Sequence, residues 1–201
     1  MSDINMSEIS DTRSIILQAA IDLFVDNNYD GVSIRQIAQR ANCNMSAISY
    51  HFGGKEKLYE ACFDSLDLDR FNNILSLLDG ANNSQEFNTK LKLYIVTMGQ
   101  FAIDNKKVFC LYAKEHYSKT PIIKGLQAKF SIRAYDKLHQ FFSQAIGKGI
   151  VRSDINSSFM ARLIQNIIKN EFVFGPYTTE SDLKIISEEF INLCNRSIYE
   201  H

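Results

Sequence analysis

Met45–Phe52 gathers the side chains with the most pronounced chemistry in this chain. Read as a short helix, the stretch turns chiefly Ile48 and Phe52 inward. It leaves Met45, Ser46, Ala47, Ser49, Tyr50 and His51 exposed, a surface of hydroxyls, a phenol, an imidazole and a thioether. The charge around it is positive. From Gly31 to Lys57 the basic residues Arg35, Arg40, Lys55 and Lys57 face one acid, Glu56, a balance of +3. Met1–Asp30 has Arg13 alone against six acids, a balance of −5. The total of −1 hides a positive segment of the kind that meets nucleic acid. Catalytic patterns are missing by comparison: the sequence has no nucleophile elbow, phosphate loop, metal-ligand spacing or paired-carboxylate motif. No metal and no cofactor is expected, since His116 and His139 form a histidine pair without a spacing signature.

The elements that must position these residues read as helices throughout. Ile16, Ala20, Leu23 and Phe24 recur at helical spacing, which predicts a helix over Thr12–Asn27, stopped by the Asn27-Asn28-Tyr29-Asp30-Gly31 turn. Ser33 and Gln36 form a capping-box pair, and Ile34, Ile37, Ala38 and Ala41 make one apolar face after it. Asn42 tolerates the left-handed conformation that closes a helix, and Asn44 is a good cap for the next, so a tight helix-turn-helix is implied. Gly53-Gly54 breaks the third helix, and Lys55 opens a fourth predicted to run through Leu78 to Asp79-Gly80. Further helices are predicted over Gln85–Asp104, Lys107–Ser118, Pro121–Ile146, Ser157–Phe174 and Ser181–Tyr199. The fold class is all-α, about nine helices, with residues 1–57 as one domain and 58–201 as a second.

Composition supports this. Two prolines in 201 residues, Pro121 and Pro176, leave long helices uninterrupted, and 45% hydrophobic residues suffice for a core. The longest run free of polar residues is Val108–Ala113, far short of the roughly 20 residues that span a membrane. Met1–Ser14 is polar and acidic, unlike a secretory signal, so a cytoplasmic protein is expected. Cys43, Cys62, Cys110 and Cys194 are scattered and read as ordinary thiols.

The stretch Ser33–Tyr59, above all Ala47-Ile-Ser-Tyr-His-Phe-Gly-Gly-Lys-Glu-Lys-Leu-Tyr59, closely resembles the DNA-binding segment of the TetR family of bacterial transcriptional regulators. The resemblance covers about a quarter of the chain. It implies a ligand-responsive homodimer that binds double-stranded operator DNA, most often as a repressor. Ser33 would offer its hydroxyl and helix N–H groups to a phosphate, Lys55 would form a second phosphate clamp, and Tyr50 and His51 would reach backbone or base edges. Met45, Ser46, Ala47 and Ser49 would face the major groove, Asn44 would stand at its edge, and Arg35 would supply a base or phosphate contact. Three positions depart from the family pattern. Asn42 and Ser46 replace frequent glycines, and Ser49 replaces a frequent tyrosine and with it a phosphate contact. With Arg35, Arg40, Lys55 and Lys57 as the cations, a dimer would neutralise at most about eight phosphates, for a salt slope no steeper than about −7.

The same resemblance would make Tyr94, Phe101, Phe109, Tyr112, His116, Phe130 and His139 part of an effector pocket for an unknown small molecule, where an ordinary aromatic core is the competing reading. Leu163, Ile164, Ile167 and Ile168, with Ile186, Phe190, Leu193 and Cys194, cover more of the last two helices than one inward stripe needs. They are expected to form a four-helix dimer interface. The alternative functions are a small all-helical enzyme and a ligand-binding protein acting without DNA.

Overall fold

The computed structural model describes residues 6–114, 128–176 and 179–197. Among these are ten α-helices, two π-helical stretches and no strand. The helices are α1 (Met6–Asn27), α2 (Ile34–Arg40), α3 (Met45–Phe52), α4 (Lys55–Asp64), α5 (Leu68–Ser76), α6 (Ser84–Asp104), α7 (Lys106–Lys114), α8 (Arg133–Gly147), α9 (Ser157–Ile167) and α10 (Glu180–Ser197). The π-helical stretches, Ala128–Ile132 and Ile168–Phe174, precede α8 and continue α9. The all-α expectation therefore holds. Among the described residues no helix is long and apolar enough to cross a membrane.

Several helix bounds expected from sequence are corrected, α1 beginning at Met6 rather than Thr12. The helix predicted from Lys55 to Leu78 is two helices, α4 and α5. Ser65 and Asp67 make the break. The Ser65 hydroxyl donates to the Cys62 carbonyl at 2.6 Å, and the Asp67 carboxylate accepts the Arg70 N–H at 2.9 Å as the cap of a new helix. The apolar spacing through this region continues without a gap, so periodicity alone joins what the polar side chains divide. The last helix likewise begins at Glu180 rather than Ser181, behind a reciprocal cap in which Thr179 Oγ1 accepts the Asp182 N–H and Asp182 Oδ2 accepts the Thr179 N–H. Residues 121–127 of the predicted Pro121–Ile146 helix lie outside the described residues.

The chain forms two compact units. The first runs to Leu66 and takes in α7 from Lys107 onward. Its α1 packs on α2 and α4, and α3 packs on α2 and α4. Ile16, Ala20, Phe24, Ile37, Ile48, Leu58 and Tyr59 form its core, with the Tyr59 ring set between Phe24 and Tyr29, each 4.8 Å away.

The second unit contains Asp67–Lys106 and the described residues from Ala128 on. There α6 packs on α5, α10 and the second π-helical stretch, and α8 packs on α9. Phe87 stacks face to face on Phe141 with ring centroids 4.6 Å apart, and meets Phe142 edge-on at 5.2 Å. Phe71 joins Phe101 and Phe130 in a second aromatic group.

Candidate nucleic-acid interface

The helix-turn-helix is assembled by contacts that the local sequence encodes. The Gln36 N–H donates to Ser33 Oγ at 3.2 Å, and the Ser33 N–H donates to Gln36 Oε1 at 2.7 Å, the capping box expected from the spacing. The Ser33 hydroxyl also donates to Gln36 Oε1 at 2.7 Å, so its proton is committed within the cap. Asn42 takes the left-handed conformation at φ 50°, as the turn demands. Asn44 stands at the N-cap of α3 but makes no side-chain capping bond, which leaves its amide exposed.

The third helix is held by two residues. Ile48 is fully buried and Phe52 nearly so, while Tyr50 is 77% and Met45 55% exposed. Ser46 and Ser49 are exposed too, and Ala47 and His51 are half-buried. The Tyr50 and His51 rings meet edge to face at 5.1 Å, which aligns a phenol and an imidazole along the free side of α3. Gly53 ends the helix at φ 76°, a conformation strained for any residue with a β-carbon, and its N–H donates to the Ser49 carbonyl.

Cations surround this face, and the structure sorts them. Lys55, the first residue of α4, holds its Nζ 4.1 Å above the Tyr29 ring. Burial of Tyr29, with Glu56 and Asp30 nearby, raises its phenol above the ordinary value, so the ring beneath that ammonium stays neutral. Arg35 is exposed, with no carboxylate partner among the described residues. Arg40 is different. Its Nη2 lies 2.9 Å from Asp22 Oδ2, while Lys107 Nζ on α7 lies 2.6 Å from Asp22 Oδ1 and Gln18 Nε2 donates to the same oxygen at 3.2 Å. Arg40, counted among the DNA-facing cations from sequence, is thus a tie between α2 and α1.

The Asp22 carboxylate shows the energetics of that tie. Burial pushes its pKa up, but hydrogen bonds from Lys107, Arg40 and Gln18 outweigh this and hold it below the ordinary aspartate value. A carboxyl depressed in the folded state stabilises fully above the unfolded-state pKa of about 3.9 and loses that contribution as pH falls through the lower folded value. At neutral pH Asp22→Asn is expected to cost only about 1 kcal/mol, or about 2–4 °C in Tm, because both cations are half-exposed and screened. Thermal melts of both proteins from pH 7 down to pH 2 check this: the gap must narrow as Asp22 protonates.

The effector residues expected from sequence fall in both units. Tyr94, Phe101 and Phe130 are buried in the second unit, and burial raises the Tyr94 phenol. Phe109 and Tyr112 lie on α7 in the first unit. His139 is half-buried with its ring stacked on Tyr135 at 6.0 Å, and His116 lies outside the described residues. An open groove of about 400 Å³ between α5 and α8, which no sequence signal marked, is lined instead by residues including Asn72, Asp79, Arg133, Lys137 and Gln140.

Among the expected dimer residues, Ile164, Ile168, Phe190 and Cys194 are buried within the chain itself. Leu163, Ile167 and Ile186 are half-buried, and Leu193 is 57% exposed. Sequence reading missed Phe159 and Ile185, which are 56% and 55% exposed. Their signal is an apolar residue on the polar side of an amphipathic helix. The Cys62 and Cys194 thiols are pushed up to about 12 by burial, as inert core residues are.

Comparison with known proteins bears on this geometry. Residues 16–62, α1 to most of α4, match the family described as "Bacterial regulatory proteins, tetR family". The HTH-type transcriptional regulator YvdT of Bacillus subtilis is 25% identical over 188 residues, 91% of this chain and 93% of that protein. IcaR of Staphylococcus aureus (strain Newman), the negative transcriptional regulator of the biofilm operon icaADBC, is 35% identical over 72 residues, 34% of this chain and 36% of its own. The ketosteroid transcriptional regulator KstR2 of Mycobacterium tuberculosis shares the fold with a TM-score of 0.72 at 17% identity, over 94% of this chain and 95% of that one.

Proposed function

The chain belongs to the tetR family of bacterial regulatory proteins, and from that premise we propose that it is a homodimeric repressor that releases its operator when a small molecule binds its second unit. It is a DNA-binding transcriptional regulator and not an enzyme, as its relatives are. The observation that carries the reading is α3, whose apolar side is spent on Ile48 and Phe52 while its polar side stands in solvent, followed directly by Lys55, which has no carboxylate partner among the described residues. Residues 1–57 serve DNA recognition, and 58–201 serve effector binding and dimerisation. Met45, Ser46, Ala47 and Ser49 read base edges. Arg35, Asn44, Tyr50, His51 and Lys55 hold the backbone or base edges, and Ser33 contributes through the N–H groups of the helix it caps. The operator is two-fold, because a single α3 covers only one half-site.

A second copy suits the exposed apolar positions of the last helices. Phe159 and the half-buried Leu163 lie one turn apart on α9, and the exposed Ile185 and Leu193 lie two turns apart on α10. Such a stripe covers itself in an isologous two-fold contact. Repression is supported by the role of IcaR, a negative regulator.

The test is an electrophoretic shift with duplex DNA from immediately upstream of the protein's own gene, followed by footprinting. The expected result is a specific complex of dimer mass protecting two half-sites about one helical turn, roughly 34–36 Å, or a multiple apart. A monomer at micromolar concentration, or no specific shift in low salt, overturns the proposal.

A further inference from the structure

The first unit holds a cation that neither the helix-turn-helix motif nor its flanks account for. Arg13 on α1 places its guanidinium carbon 4.8 Å from the centroid of the Phe52 ring, the last residue of α3. The contact spans 39 positions of sequence. Arg13 is exposed, and no carboxylate accepts from it among the described residues. It is also the one basic residue of Met1–Asp30, a stretch with six acids, and still forms no ion pair with any of them that is described.

Lys57 folds back over Gly53, the cap of α3 and the next residue along the chain after Phe52. Its Cδ lies 3.2 Å and its Nζ 3.7 Å from where a β-carbon on that glycine would sit. Two cations from different helices are thus gathered at the C-terminal end of the recognition helix. The negative end of the helix dipole favours them there, but it is a partial charge and leaves most of theirs uncompensated. A guanidinium resting on an aromatic face is fixed in place while its N–H groups remain free to donate.

We propose that Arg13, with Lys57, forms a phosphate clamp at the end of α3, so that Arg13 takes the place that the sequence assigns to Arg40. The inference rests on the regulator reading above and names an additional part of its DNA surface. The acceptor is the phosphate backbone of the operator. Arg13 carries no sequence information, and its contribution comes from release of condensed counterions.

The two readings of the cations predict different salt dependence. If Arg13 contacts one phosphate in each half-site, Arg13→Gln removes two phosphate contacts per dimer and flattens the slope of log K against log salt by about 1.8. Wild-type advantage over the variant then shrinks about tenfold between about 50 mM and about 200 mM salt. Arg13→Lys keeps the charge and is expected to keep the slope. Arg40→Gln breaks the tie to Asp22 but leaves the slope unchanged.

The measurement is fluorescence anisotropy of the full chain on duplex DNA from upstream of its own gene across a KCl series, with a thermal melt of each variant. If Arg13→Gln and Arg13→Lys both weaken binding at the wild-type slope, Arg13 only braces α1 against α3 and the clamp is wrong. A slope change in Arg40→Gln instead of Arg13→Gln also overturns it. Failure of the wild type to bind DNA at all overturns the regulator reading and the clamp with it.

Discussion

Replacing both Tyr50 and Lys55 with alanine is expected to weaken binding to operator DNA about 1000-fold while the protein stays folded. Neither side chain belongs to the buried core of the first unit, and both are proposed DNA contacts. Tyr50 is 77% exposed, and Lys55 touches the protein chiefly through the Tyr29 ring 4.1 Å below its ammonium. Each subunit loses two contacts, so a dimer loses four, and at about 1 kcal/mol each these sum to about 4 kcal/mol. The cost to stability is the Lys55–Tyr29 cation–π contact, about 0.5–1 kcal/mol, and the solvent-exposed edge contact of Tyr50 with His51. Titration by anisotropy, with circular dichroism to confirm helix content, decides the matter. A variant that binds within tenfold of wild type would mean that DNA does not approach the Tyr50 side of α3.

Gly99→Val is expected to be the most damaging single change in the second unit, at about 3 kcal/mol, or about 6–12 °C in Tm. Glycine in the middle of a 21-residue helix is unfavourable by about 1 kcal/mol against alanine, so its presence needs a reason. The reason is contact. A β-carbon on Gly99 would lie 2.3 Å from Leu183 Cδ2 on α10 and 2.9 Å from Phe172 Cε2 in the second π-helical stretch, and both side chains are fully buried. Neither can yield without displacing its own neighbours. Even Gly99→Ala, which gains in helix propensity, is expected to lower Tm; a rise would show that the α6–α10 contact has slack. A control at Gly147, where a β-carbon meets nothing within 4 Å, should be nearly neutral.

Two features of the second unit constrain the effector proposed to bind there. The aromatic residues expected to line a pocket are in part the packed core itself: Tyr94, Phe101 and Phe130 are at most 6% exposed. The open groove between α5 and α8 is polar, with Arg133 donating to Asn72 Oδ1 at 2.6 Å and Lys137 paired with Asp79. A ligand accommodated among the aromatics must displace packed rings, whereas one in the groove must compete with existing ion pairs and hydrogen bonds.

Much of the helix-turn-helix was legible in the sequence because its determinants are local. The Ser33–Gln36 cap, the left-handed Asn42, the short α3 with Ile48 and Phe52 inward, and the Gly53 stop each depend on residues within a few positions of one another. Backbone dihedrals and capping bonds operate on that scale. Aromatic periodicity in the second half was equally legible as burial, but burial does not say which helix supplies the other wall. The expected pocket residues accordingly fall in both units, and half of the expected dimer residues are buried within the chain's own core.

By itself, then, the sequence determined the helical class, the helix-turn-helix and the positive sign of its surroundings. The tertiary structure alone decided which cations are available to a phosphate. Arg40 and Arg13 are indistinguishable as formal charges, yet one is bound to Asp22, 18 positions away, an aspartate shared with Lys107 at 85 positions from it, while the other rests on Phe52 with no carboxylate partner among the described residues. Whether a charge is neutralised depends on what lies within about 4 Å in space, and that neighbourhood is set by helix packing rather than by position along the chain.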